Sequence, residues 1–354
     1  MQEELRIRKG VIRRKRKTDT HIESESKQQK AVVVSFINLK GGVGKTTLCL
    51  TIGEILSFAF GKRVLLIDLD SQSNLSSALV PRQDLESYRK KKGSIYHLFL
   101  NLLNPDKYTQ GWDLKNAVVT SCSNIQKNNN LNAILSLPEL GQFDEELADA
   151  LEKGGKGPAG SGLKITIEWR KVLNRPLLSL RSQYDYILID CPPSLSLFTS
   201  NALVASDYFV TPISPEYLSI QGLELIQNRL GRLQQRVGTK EMNVRFAGCI
   251  INRIDIRRKD HVEICRNPIY SNKGRFLPFR YWVGDLKPMY IVTDYYYPSE
   301  KIGRKWVSID EKYNYEERNF RNPDGVLNIP DETDYYDLYD RLYKLTKEFM
   351  KRCR

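Results

Sequence analysis

Lys40-Gly41-Gly42-Val43-Gly44-Lys45-Thr46-Thr47 follows the apolar run 31–37 and opens the apolar-periodic segment 48–58. That order predicts a strand, a glycine loop and a helix start. Three glycines let backbone N–H groups curl around an anion without Cβ clashes, and the amino end of a helix adds partial positive charge. The ligand so implied is a nucleotide phosphate, with Lys45 reaching its β- and γ-phosphates and Thr46 offering a hydroxyl to Mg²⁺. The loop departs from the standard phosphate-binding pattern: Leu39 stands where a glycine is usual, and a second lysine, Lys40, opens it. A glycine turn without a ligand would leave both flanking lysines without a reason.

Two further apolar runs end in acids. Residues 63–70 form a second buried strand, one βαβ crossover after the first, closing on Asp68 and Asp70. Ligands of doubly wound sheets lie at the carboxyl ends of the strands, where Asp70 falls. Residues 186–193 repeat the pattern and end in Asp190-Cys191-Pro192-Pro193. A carboxylate at that strand end can hold a water on Mg²⁺, and the prolines would stiffen the following segment. Strands are also read over 208–214 and 245–253, and Leu223, Ile226, Leu230 and Leu233 recur between them at helical, core-facing spacing. The fold class is therefore α/β, a doubly wound and mostly parallel sheet flanked by helices.

The K-G-G-V-G-K-T-T spelling resembles the deviant Walker A box of the ParA/MinD family of partitioning and positioning ATPases. Asp68-Leu69-Asp70-Ser71-Gln72-Ser73-Asn74 is similar to that family's D-x-D-P-Q-x-N segment, with Ser71 in place of proline. Pro215-Glu216-Tyr217-Leu218-Ser219-Ile220-Gln221-Gly222 resembles its E-Y-x-x-x-x-G segment. The resemblance covers about residues 31–260 and implies a P-loop NTPase that uses ATP and Mg²⁺. It assigns nucleotide contacts to Lys40, Gly41, Gly42, Val43, Gly44, Lys45, Thr46 and Thr47, with Lys40 reaching the partner's phosphates across a nucleotide sandwich homodimer. Asp70 would position the attacking water, while Thr46, Asp68 and Asp190 would serve the metal. Asn252 stands where related ATPases meet the adenine edge, although a turn-forming asparagine explains it equally. Arg257 lies near a DNA-contacting arginine of ParA relatives, beside Arg258, and Arg280 is a further DNA candidate. An ordinary solvated charge run is the rival reading. The resemblance also implies non-specific duplex DNA and a ParB-like centromere-binding protein as partners, the latter stimulating hydrolysis.

Composition agrees with a large globular chain: 354 residues, 41% apolar, with a formal charge of +13. Such charge points to a polyanion, either nucleic acid or an anionic membrane surface. No apolar run is long enough to span a membrane and no secretory pattern opens the chain, so a cytoplasmic protein is expected, and the resemblance to ParA proteins implies association with the nucleoid. Six scattered cysteines without a C-x-x-C pair read as buried thiols, which argues against iron–sulfur relatives of the same class.

Residues 1–30 read as a disordered basic arm, and 31–354 as a single ATPase domain. That domain carries a flexible glycine-rich loop at 153–162 and a Tyr-rich insertion at about 261–333 that no motif assigns. The last helix, 334–352, puts Tyr335, Leu338, Tyr339, Leu342, Leu345 and Phe349 on one stripe. Core packing is the first reading and a MinD-like membrane-surface helix the second. The late tyrosines suggest a bacterial tyrosine kinase as a third class, which Lys40 and the D-L-D-S-Q-S-N segment weaken.

Overall fold

The computed structural model describes residues 30–103, 113–143 except 126, 145–147, 170–285 except 239, 271 and 272, and 338–354. The basic arm before residue 30, the loop at 153–162 and the Tyr-rich stretch from 286 lie outside the described residues.

The strands are β1 (Val32–Phe36), β2 (Val64–Asp68), β3 (Val118–Val119), β4 (Leu131–Ile134), β5 (Tyr186–Asp190), β6 (Tyr208–Ile213) and β7 (Arg245–Ile251). The first helices are α1 (Lys45–Phe58), α2 (Asn74–Leu79), α3 (Arg82–Lys92), α4 (Ile95–Leu103) and α5 (Asn174–Leu180). They are followed by α6 (Leu197–Ala205), α7 (Tyr217–Val237), α8 (Lys259–Ile264), α9 (Lys273–Phe276) and α10 (Leu338–Arg352).

The sheet runs β3-β4-β2-β5-β1-β6-β7. Every pairing is parallel except that of β3 with β4. The short antiparallel β3 has no counterpart in the sequence pattern, because two residues carry no periodicity. Strands β2, β5 and β6 are buried along their whole length, as expected of continuous Val/Ile/Leu runs covered by helices on both faces. Register places Phe36 beside Asp190, and Asp190 beside Asp68. The carboxyl ends of β1, β2 and β5 thus meet at one point.

Helix α1 is buried nearly all round, from Leu48 to Ser57. One side lies so close to β2 that a Cβ on Gly53 would come 2.8 Å from Leu66. Its other side receives α10, whose Leu338, Leu342, Leu345 and Phe349 are buried in the same cluster as Leu48 and Ile52. Phe349 stacks on Phe36 with centroids 6.1 Å apart, and the Tyr186 and Tyr208 hydroxyls donate to the Cys353 and Arg354 carbonyls at 3.3 and 2.6 Å. The apolar stripe of the last helix is spent inside the fold, so it has no free apolar face for lipid while docked. Its described part is Leu338–Arg352, and Tyr335 lies outside the described residues. No helix among the described residues is long and apolar enough to cross a membrane.

Candidate nucleotide-binding site

Gly44 caps α1 with φ +89°, and a Cβ there would fall 2.1 Å from the Asn252 amide nitrogen. Glycine is required at that position twice over, by the left-handed backbone and by the close approach. Asn252, buried at the end of β7, donates its Nδ2 to the Val43 carbonyl at 2.9 Å. Its Oδ1 is buried without a hydrogen-bond partner. Asn252 is therefore first a latch beneath the phosphate loop. Of the donor and acceptor expected to meet an adenine edge, only the acceptor stands wholly uncommitted.

A cleft of about 560 Å³ opens above the carboxyl ends of the strands, lined by Gly41, Gly42, Gly44, Lys45, Thr46 and Thr47 on one side. Asp70, Pro193 and Asn252 also line it. Val43 is buried under the loop and contributes its carbonyl to the latch. Lys45 points inward, 7% exposed, and its Nζ donates to the Lys40 carbonyl at 3.3 Å, which ties off the loop. Burial lowers its pKa, and the carboxylates of Asp190 and Asp70 oppose that.

Three carboxylates converge beneath Lys45 and do different work. Asp68 is buried and saturated: Oδ1 accepts from the Asp70 N–H at 3.1 Å, and Oδ2 accepts from the Ser76 N–H at 2.9 Å and its hydroxyl at 2.7 Å. Ser76 Oγ in turn accepts from the Ser136 N–H at 2.8 Å. Asp68 thus fixes the start of α2 to the ends of β2 and β4, and burial raises its carboxyl to about 6. These contacts hold Asp68 in a positioning role beside Asp190, its neighbour across the β2–β5 register. Asp70 accepts from the Gln72 N–H at 3.0 Å and lines the cleft.

Asp190 is the least satisfied of the three. Both of its oxygens are buried without a hydrogen-bond partner among the described residues. Burial and the neighbouring Asp68 charge push its pKa well up, while the nearby Thr46 hydroxyl and Lys45 ammonium draw it part of the way back. A buried carboxylate left bare at the floor of a cleft, next to a threonine hydroxyl, is a hard oxygen donor set that suits Mg²⁺. No cluster of three or more His, Cys, Asp or Glu side chains fit for a metal occurs among the described residues.

Lys40 sits on the rim, its ammonium paired with the Glu216 carboxylate at the amino end of α7. Tyr217, Leu218 and Leu225 lie exposed on the same helix, at 64%, 66% and 54%. Arg253 belongs to no motif in the sequence. It takes φ +59° directly after Asn252, donates Nη1 to the Gly42 carbonyl at 2.9 Å, and faces Asp285 across the cleft mouth at 3.5 Å. Its adjacency to Asn252 at a strand end is the only signal the sequence carries for it.

The DNA candidates are not one patch. Arg257 forks onto Asp255 at 2.9 and 3.0 Å, and Arg258 onto Asp260 at 3.2 and 2.6 Å, so both charges are locally offset past the carboxyl end of β7. Arg280 lies instead in a cleft with Tyr208 and Arg245, the first residues of β6 and β7. All six cysteines are buried and free, in line with the thiol reading.

Fold and site together define a P-loop nucleotide-binding protein with a second lysine at the loop entrance. The family profile described as an AAA domain matches residues 31–244, and the chain belongs to this family. The sporulation initiation inhibitor protein Soj of Bacillus subtilis is 30% identical over 233 residues, covering 66% of this chain and 76% of that protein. The chromosome-partitioning ATPase Soj of Treponema pallidum is 29% identical over 231 residues, covering 65% and 75%. Among solved structures, a plasmid partition protein of Borrelia burgdorferi bound to AMPPNP shares the fold, with a TM-score of 0.58 at 21% identity over 91% of this chain and 100% of that one. The chain is thus a ParA/Soj-type P-loop ATPase.

Proposed function

We propose that this chain is a partitioning ATPase: it binds ATP with Mg²⁺, pairs with a second copy, grips duplex DNA without sequence preference, and lets go on hydrolysis. The observation that carries the reading is Asp190, a bare buried carboxylate under the Lys45 loop with Asp70 facing the same cleft. Asp190 and Thr46 would hold Mg²⁺, which when bound neutralises charge developing on the transferred phosphoryl group. Lys45 and the loop N–H groups bind the phosphates, Asn252 from below and Arg253 from the cleft mouth keep the loop in shape, and Asp70 orients a water toward the phosphate.

Self-association is supported by the exposed Tyr217, Leu218 and Leu225 beside Lys40. Two copies meeting there would exclude water from both sites and let Lys40 exchange Glu216 for the partner's phosphates. Nucleotide then acts as a population switch between weak and strong DNA binders. The named relatives support chromosome or plasmid cargo, and a ParB-like centromere-binding protein is the partner that would stimulate hydrolysis. Nucleoid association follows from the DNA grip.

The test is binding of the purified chain to unrelated duplexes with ATP, with ADP and without nucleotide. ATP should tighten binding to all duplexes alike. Arg280→Glu should lower the log–log salt slope by about 0.9 per lost phosphate contact. Arg257→Ala should change it less, since Asp255 already holds that guanidinium. Nucleotide-independent affinity, or strong preference for one duplex, would overturn the reading.

A further inference from the structure

The outer face of α7 carries a second, unassigned feature. Past Leu225 its exposed side turns basic: Arg229, Arg232 and Arg236 recur at three and four residues on one face, spanning about 10 Å of helix. None of the three has an ion pair with a described carboxylate. They face Arg170, whose Nη1 donates to Ser200 Oγ at 2.8 Å, across a groove of about 170 Å³. The floor is apolar, made by Leu195 and Leu203 from one side and Leu230 and Leu233 from the other. An arginine rim over a leucine floor selects a partner that carries both carboxylates and apolar side chains.

We infer that this groove docks an acidic amphipathic peptide segment of a partner protein. Duplex DNA fits it poorly: phosphates would satisfy the arginines but bring nothing apolar to the floor, and the hollow admits side chains, not a duplex. A second copy of this chain fits it no better, because a two-fold contact would set the arginine row against itself. The groove also has an outlet toward the nucleotide. Arg229 and Leu195 line a neighbouring hollow with Leu39, Pro193, Ser194 and Ser196, so an occupant rests against the segment that follows Asp190. Any effect of docking on hydrolysis depends on the partitioning-ATPase reading; the docking itself does not.

Fluorescence anisotropy on the full chain tests this with a labelled glutamate-rich peptide bearing leucines at helical spacing. The controls are the same peptide with each leucine replaced by serine, and a labelled short duplex. Saturable binding of the leucine peptide is expected, weakened about tenfold or more by Arg232→Glu/Arg236→Glu and weakened again in the serine peptide. Arg232→Gln/Arg236→Gln should fall between, which separates charge from misfolding. Duplex affinity should stay nearly the same in these variants. No saturable binding, equal binding of the serine peptide, or loss of duplex affinity in place of peptide affinity would each overturn the inference.

Discussion

Lys40 and Glu216, 176 residues apart in sequence, close an ion pair on the rim of the cleft, joining the first residue of the phosphate loop to the residue before α7. The hydrogen bond and charge of Lys40 hold the Glu216 carboxyl below its ordinary value of 4.5. The pair therefore contributes fully above that value and is lost as pH falls through the lowered one. Both side chains are partly exposed, so it is a parking contact and not a strong lock.

Glu216→Gln should thus leave the fold intact and free Lys40 for ATP-dependent pairing. Sedimentation with ATP should show the dimer appearing at equal or lower protein concentration, shifted by no more than about fivefold. The acid-side pH dependence of dimerisation should flatten in the variant. A variant unable to dimerise would mean that Glu216 is itself part of the interface chemistry.

Gly44 and Asn252 should behave as a coupled pair. Gly44→Ala meets both a left-handed backbone and the Asn252 amide, and should lose ATP binding and about 2 kcal/mol or more of stability in urea unfolding. Asn252→Ala removes the obstacle but leaves the Val43 carbonyl without its donor, at about 1–3 kcal/mol. The double variant should be less unstable than the sum, because the clash term vanishes while the backbone strain stays. Strict additivity would show that the two do not touch.

The last helix gives a test of packing against lipid attachment. Phe349→Ala empties a fully buried site against Phe36 and should cost about 3–5 kcal/mol, read as a lowered thermal midpoint. An unchanged midpoint together with lost binding to anionic vesicles would restore the membrane reading.

Much of this architecture is written in local pattern. Strands β1, β2 and β5 are apolar runs closed by a loop or an acid, and the phosphate loop is a short contiguous string, so the sequence alone is enough to place Lys45, Thr46, Asp70 and Asp190. What stays hidden there is relational. Asp68 and Asp70 look alike in sequence, and only the position of Ser76, set by where α2 lands on β4, commits one to the scaffold and leaves the other to the cleft. Asn252 reads equally as an adenine contact or a turn, and it is the Val43 carbonyl within reach of its amide that makes it a latch. Arg253 and Asp285 come from segments whose approach depends on the path of the chain after β7, where the sequence has no periodicity to read. Arg257 and Arg258 look like a free basic run because their carboxylate partners, two residues away, pair with them only through the bend of the backbone.

On the partitioning-ATPase proposal, each ATP site is finished by Lys40 of the other copy. Lys40→Ala and Asp70→Ala should each be nearly inactive alone, the first for want of a cation on the partner's phosphates and the second for want of an oriented water. Mixed, they form heterodimers in which one site holds its own Asp70 and the partner's Lys40. ATP hydrolysis by the mixture is the most direct measurement: recovery to at most about half of wild type per heterodimer is predicted if the sites act independently, and no recovery in a mixture with demonstrated heterodimers would contradict it.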